Sequence, residues 1–271
     1  MFKIGVVGCG AIGTEICKAI DEGSMGVELY AVYDRNNENT AAVKAQLKNA
    51  TPHVLDISDM VQHVDLIVEA ASQAAVPEVA LTALNAGCDV MIMSIGAFAD
   101  EKLRDTIFGL AKEKGCKVYL PSGAIVGLDG LKSAMSEDVH SVTLTTQKPP
   151  RGFEGAPYIV QNKIDLNKIT SRTVIFEGTA NEAVKAFPAN VNVAASLSIA
   201  GIGFERTKVR IVADPALTTN VHEISVEGEF GKFNTKVENV PSPTNPKTSY
   251  LAALSAIATI KKIANPVQIG T

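Results

Sequence analysis

The chain has 271 residues, which suits two domains and a large core that needs neither disulfides nor a structural metal. Its formal charge of −4 gives no electrostatic reason to expect nucleic acid or an anionic membrane as partner. Four dispersed cysteines (Cys9, Cys17, Cys88, Cys116), with no CxxC pair and no Cys/His cluster, argue against a disulfide framework and a metal site, and no apolar run approaches the ~18–20 residues that span a bilayer. Together with a start that runs from Met1 straight into an apolar strand, these features lead us to expect a cytoplasmic protein.

In chain order, Lys3–Gly8 reads as a strand, Ala11–Asp21 as a helix and Val27–Tyr33 as a second strand. A polar-faced helix over Thr40–Asn49 and a short strand from Val54 to Ser58 follow. Val64–Ala70 (VDLIVEA) reads as an apolar strand buried on both faces, and Val76–Ala86 as a helix closed by Gly87. Asp89–Ser94 is a strand, Asp100–Lys114 a helix ending at Gly115, and Lys117–Pro121 a further strand. Strands alternating with helices in this way predict an α/β fold, a doubly wound parallel sheet of the Rossmann type, over residues 1–121.

The pattern changes after that point. Val139–Gln147 (VHSVTLTTQ) alternates and is rich in Val and Thr, as a half-exposed antiparallel strand is. Arg172–Gly178, Lys208–Ala213, Val221–Gly228 and Phe233–Val240 also read as strands, the last two joined by a hairpin turn over Gly228–Gly231. With helices over Asn181–Phe187 and Asn192–Gly201, residues 122–244 are expected to form an α+β domain with a mostly antiparallel open sheet. An apolar helix over Thr248–Ile263, in the segment 245–271, is expected to return to the first domain.

Gly8-Cys9-Gly10-Ala11-Ile12-Gly13 is a GxGxxG motif at the junction of strand and helix. Gly8 permits the tight turn, Gly10 lets backbone approach a pyrophosphate, Gly13 lets helix and strand pack closely, and the helix N-terminus supplies N–H groups to phosphate oxygens. Asp34 ends the second strand about 20 residues after Gly13, where a carboxylate accepts hydrogen bonds from a ribose diol. Its charge favours NAD, whereas the adjacent Arg35 offers a partner for the 2′-phosphate of NADP. Small residues follow the later strands at Ala70-Ala71-Ser72, Ser94-Ile95-Gly96-Ala97 and Ser122-Gly123-Ala124. They leave room for a ribose and a nicotinamide ring, although tight αβ turns favour small residues in any case.

Of the four histidines, His53 and His63 read as solvent-facing, and His140 has no distinctive neighbour. His222 opens a strand after Asp214-Pro215 and Thr219-Asn220, a junction that can aim a side chain at a cleft. Asn190 and Asn192 precede a helix of small residues, where Asn192 can either cap the helix or present its amide to a carboxamide.

Taken together, VVGCGAIG, VEAAS, SIGAFAD, LPSGAIVGLD, FPANVNVAASL, ADP…NVHEI and NPKTS resemble the L-aspartate dehydrogenase family over almost the whole chain. The resemblance implies NAD(P)-dependent oxidation of L-aspartate to iminoaspartate, which hydrolyses to oxaloacetate and ammonia and feeds NAD biosynthesis. It also implies a homodimer. The family's active-site histidine falls on His222, and its marked cofactor contacts fall on Ala124 and, in preference to Asn190, on Asn192. For the two substrate carboxylates the candidates are Ser122, Gly123, Lys247 and Thr248, with Lys247 at the start of the last helix.

Two other readings remain open from the sequence. One is a reductase of another small imine or semialdehyde on the same scaffold. The other is a non-catalytic NAD(H)-sensing protein, which would need no His222. A sugar or polyol dehydrogenase would show a Lys-Pro pair where Ile95-Gly96 stands.

Overall fold

The computed structural model describes residues 1–188, 191–242 and 245–271, with 245–247 described at the backbone alone. The chain divides into two compact units, Met1–Pro121 with Ala252–Gln268, and Ser122–Leu251 with Ile269–Thr271.

The first unit is built on six parallel strands: β1 (Phe2–Val7), β2 (Val27–Tyr33), β3 (His53–Val54), β4 (Leu66–Glu69), β5 (Asp89–Ile92) and β6 (Val118–Tyr119). Their order is β3-β2-β1-β4-β5-β6, so the direction of winding reverses between β1 and β4. Ile4, Val6, Leu66, Val68 and Met91 are buried because helices cover the sheet. The final helix, Tyr250–Ala264, places Ala256 and Ile260 in the same apolar cluster as Ile4 and Ile16.

Two short segments differ from expectation, and side-chain caps are the cause. Asn36 accepts a hydrogen bond from the Glu38 N–H at 3.0 Å, so the helix begins at Asn37 and runs to Lys44. Asp56 accepts from the Asp59 N–H at 2.9 Å, so Ile57–Met60 is helical and β3 ends at Val54.

The second unit carries β7 (Val139–Lys148), β8 (Thr173–Thr179), β9 (Lys208–Ala213), β10 (Asn220–Gly228) and β11 (Gly231–Asn239), in the order β11-β10-β7-β9-β8. Three of the four ladders are antiparallel, and β7 and β9 run parallel at the centre. The hairpin turns between Gly228 and Gly231 as expected. On the covered face, Val142 and Leu144 of β7 stand opposite Val226 and Ile224 of β10, and all four are buried in one core. The opposite face carries Thr143, Thr145, Glu223 and Ser225 rather than the apolar surface an outer dimer contact would suggest. The short strands β12 (Pro241–Ser242) and β13 (Asn245–Ser249) form a separate antiparallel ladder.

This ladder corrects the start of the last helix. Thr248 lies in β13, and the helix begins at Tyr250, whose N–H donates to the Val240 carbonyl at 3.0 Å. Pro246 disfavours helical backbone at Asn245, and β12 offers that extended segment a partner. Lys247 therefore belongs to a strand and does not open the helix; its side chain lies outside the described residues, as do residues 189 and 190, including Asn190.

Candidate active site

The glycine-rich turn forms because β1 must reverse sharply into the helix Ala11–Asp21. Gly8 adopts φ +100°, and a Cβ there would stand 2.6 Å from the Ala70 carbonyl carbon and the Ala71 nitrogen. A Cβ on Gly13 would collide with the Gly8 carbonyl, so the helix lies directly against the turn. Around Gly10 nothing lies within 4 Å of where a Cβ would be, which leaves the backbone open to a ligand. Burial, reinforced by the Asp34 charge, pushes the Cys9 thiol up to about 12 and keeps the second position of the motif neutral.

Asp34 does more than face the cleft. Its Oδ2 accepts from the Cys9 N–H at 2.8 Å, and its Oδ1 accepts from the Asn36 N–H at 2.9 Å and the Asn39 side-chain amide at 3.2 Å. A carboxylate offers about four lone-pair positions, so one remains for a ribose hydroxyl. Arg35 stands 4.0 Å from Glu78, both side chains largely exposed. Gly8, Gly10, Asp34, Arg35, Ala71 and Ser72 line one cavity of about 280 Å³, whereas Ala11, Ile12 and Gly13 lie behind it in the helix.

At the foot of this cleft is a residue that sequence reasoning passed over. Glu69, the last residue of β4, is fully buried. Its Oε1 accepts from the N–H groups of Ala71 (2.8 Å) and Ser72 (2.9 Å) and from the Ser94 hydroxyl (2.9 Å). Its Oε2 accepts from the Ser94 N–H at 3.0 Å. Burial pushes the carboxyl up, and these donors pull against it.

In the second unit the covered face of the sheet changes character along β7 and β10. Beyond Val142–Val226 and Leu144–Ile224, the next pair in register is Thr146–His222. The Thr146 hydroxyl lies 3.0 Å from His222 Nδ1, and the two residues are 2% and 5% exposed. Lys148, two residues further on, has the same inward parity and is half-buried. Burial, and secondarily the Lys148 charge, lowers the His222 pKa to about 3, so its imidazole is neutral at physiological pH. Burial likewise lowers Lys148 to about 8. A threonine hydroxyl can donate or accept; with Nδ1–H donating to it, Nε2 keeps its lone pair as a base.

The other expected residues are placed as follows. Ala124 is buried, and its carbonyl accepts from the side-chain amide of buried Asn239 at 3.0 Å. Ser122 and Gly123 precede it, half-buried, with Gly123 at φ +67°. Asn192 is the exposed second residue of the helix Val191–Ala200 rather than its cap. Thr248 is half-buried in β13. Outside this cluster, His53 and His63 flank Tyr30 with ring centroids at 5.0 and 5.6 Å, and His140 pairs with Glu229 at 2.9 Å. Among the described residues no group of three or more His, Cys, Asp or Glu could hold a metal ion. No helix of the described residues is long and apolar enough to cross a membrane.

The open backbone at Gly10 and the carboxylate at the end of β2 fit an NAD(P) dinucleotide, and this part of the chain is the cofactor domain of a Rossmann-type NAD(P)-dependent oxidoreductase. Residues 8–121 match the family model described as homoserine dehydrogenase, NAD binding domain, and residues 129–263 the one described as aspartate dehydrogenase, C-terminal. The chain is 70% identical over 271 residues to the L-aspartate dehydrogenase of Methanococcoides burtonii and 62% identical to that of Methanosarcina acetivorans, each match covering 100% of both chains. The crystal structure of aspartate dehydrogenase from Thermotoga maritima superposes with a TM-score of 0.77 at 32% identity, covering 100% of both chains. A homoserine dehydrogenase from Thiobacillus denitrificans shares the fold alone, at 15% identity and a TM-score of 0.63 over 97% of this chain and 73% of that one. The chain belongs to the L-aspartate dehydrogenase family.

The bonds Asp34 makes define a first prediction. If Asp34 receives the ribose diol, Asp34→Ser should raise the NADH dissociation constant about 10–100-fold, because that acceptor and the tie to the Cys9 N–H are both lost. NADPH should lose far less affinity, since a repelling charge goes as well. Fluorescence titration with both nucleotides measures this, and unchanged NADH binding would remove Asp34 from ribose recognition.

Proposed function

We propose that the protein oxidises L-aspartate to iminoaspartate with NAD as the preferred cofactor, the imine then hydrolysing to oxaloacetate and ammonia. The observation that carries the reading is the pairing of a buried, neutral His222 with Thr146, beside Lys148, at one end of an otherwise apolar sheet face. Such a group has a role in amino-acid oxidation and none in passive nucleotide binding.

Bound NAD supplies the hydride acceptor for the substrate Cα. His222 Nε2 takes the proton that the substrate ammonium must lose, and Thr146 holds the ring through Nδ1. Bringing two carboxylates beside His222 raises its pKa from the low value it has alone, which makes it a better base when substrate is present. Lys148 receives one carboxylate as a charge-assisted partner. Backbone N–H groups around Ser122 and Gly123 and the Thr248 hydroxyl serve the other, and Lys247 remains a candidate beside them. Ala124 and Asn192 contact the cofactor. Asp34 and Glu78 together disfavour a 2′-phosphate, and Glu78 stands 4.0 Å from Arg35, the one cation among the described residues that line this cavity.

The iminoaspartate formed would serve NAD biosynthesis. Four cysteines with free thiols agree with a reducing cytoplasm. The protein would act as a homodimer, which light scattering on the eluted peak would read. The experiment that tests the function follows NADH absorbance in the presence of oxaloacetate and ammonium. Oxidation that depends on ammonium, faster with NADH than with NADPH, is expected. No turnover with NADH binding intact would discard L-aspartate as substrate and leave a different imine or semialdehyde.

A further inference from the structure

Asn239, the last residue of β11, is 4% exposed, and its side-chain amide is only half used. Nδ2 donates to the Ala124 carbonyl at 3.0 Å, and that bond fixes which way round the amide lies. Oδ1 is buried and meets no hydrogen-bond donor. An orphaned acceptor destabilises a fold, and leucine would fill much the same space without one. What asparagine supplies and leucine cannot is the donor to Ala124.

Where that bond sits decides what it serves. In the ladder of β10 with β11, His222 stands opposite Val237, and Asn220 opposite Asn239. Alternate residues of a strand share a face, so Asn239 is a diagonal neighbour of His222 on the face that carries Thr146. Thr235, on the same face, donates its hydroxyl to the Val126 carbonyl at 3.3 Å. The segment that follows Pro121 is thus tied to β11 at two points. Thr235 lies in the apolar row of Leu144 and Ile224, whereas Asn239 lies beyond His222, at the polar end of the face. We propose that Asn239 is a positioning residue for the substrate. Through the Ala124 carbonyl it holds the Ser122–Ala124 segment at the His222 end of the sheet, to receive one carboxylate of L-aspartate. The proposal rests on L-aspartate as the substrate and adds a residue to that reading.

The test is Asn239→Leu in the full-length protein, assayed with L-aspartate at saturating NAD. Succinate, a dicarboxylate without the ammonium, serves as competitive inhibitor and reports carboxylate binding apart from the chemistry. The substitution trades one unpartnered buried oxygen, Oδ1, for another, the Ala124 carbonyl. The melting temperature should therefore stay within about 4 °C of wild type. The KM for L-aspartate and the inhibition constant of succinate should both rise about 5–20-fold, with kcat changed less than about twofold. Thr235→Val cuts the other tie, on the core side of His222, and should leave both constants within about twofold of wild type. A lower melting temperature with both constants unchanged would make Asn239 structural only and overturn the proposal. So would a Thr235→Val variant whose constants rise as much as those of Asn239→Leu. Should Asn239→Leu fail to fold, Asn239→Ala removes the same donor without the apolar bulk, and wild-type constants there would overturn the proposal too. In each of these cases wild-type turnover of L-aspartate leaves the substrate reading standing. A wild-type protein that does not oxidise L-aspartate would remove that reading, and the proposal with it.

Discussion

Replacing His222 by alanine is expected to lower kcat about 10²–10⁴-fold while leaving the dissociation constant for NADH within about twofold of wild type. The split follows from where His222 sits. It belongs to β10 in the second compact unit, whereas the cavity lined by Gly8, Gly10, Asp34 and Arg35 belongs to the first. On the proposed mechanism, removing the imidazole takes away the group that carries the substrate proton and leaves the glycine-rich turn, Asp34 and Glu69 as they are. Stopped-flow measurement of the first turnover separates the chemical step from product release, and solvent isotope effects report whether a proton is in flight. Asparagine at 222 is a useful companion, since it preserves a polar contact to Thr146 Oγ1 without supplying a base. Wild-type kcat in either variant would end the acid–base role.

Lys148→Ala should raise the KM for L-aspartate about 10–100-fold with a smaller change in kcat, because a carboxylate loses a charge-assisted partner. The pH dependence gives the sharper signature. Burial lowers the Lys148 pKa to about 8. Below that pH the side chain is an ammonium that, on the proposed mechanism, binds a carboxylate; above it the charge is lost, so the wild-type KM for aspartate should climb as pH rises through about 8. Lys148→Arg keeps its charge throughout this range and should flatten the climb. Steady-state KM values from pH 6.5 to 10, taken at saturating cofactor, would decide the matter. An arginine variant whose KM climbs like that of wild type would show that the loss of aspartate affinity has another origin.

How much of this could be read in the sequence depended on whether the relevant geometry is local. The turn Gly8–Gly13 and Asp34 were legible because a βαβ unit fixes their spacing within one short stretch. His222 was one open candidate among four histidines until the family resemblance singled it out, because its partner Thr146 comes from a strand far away in sequence. Lys148 was missed although a signal existed: continuing the alternation of Val142, Leu144 and Thr146 puts the lysine on the inward face, where a cation is unexpected. Glu69 was hidden inside VDLIVEA, read as wholly apolar, when the charged residue was the informative one. Thr248 was assigned to a helix because β13 owes its existence to β12, a two-residue partner too short to leave a periodic pattern. The parallel pairing of β7 with β9 was equally invisible, since alternation reports burial but says nothing of strand direction.

The helix Tyr250–Ala264 also dictates when the protein can finish folding. Ala256 and Ile260 complete the apolar cluster that Ile4 and Ile16 begin, so the opening and closing segments of the chain share one core. On the ribosome the first six strands emerge well before Tyr250–Ala264, and part of their apolar face stays uncovered until that helix is made. The dinucleotide domain thus cannot be treated as a detachable module ending at Pro121, and its maturation waits for the helix Tyr250–Ala264. Deleting Tyr250–Ala264 would be felt first in the core around Ile4 and Ile16.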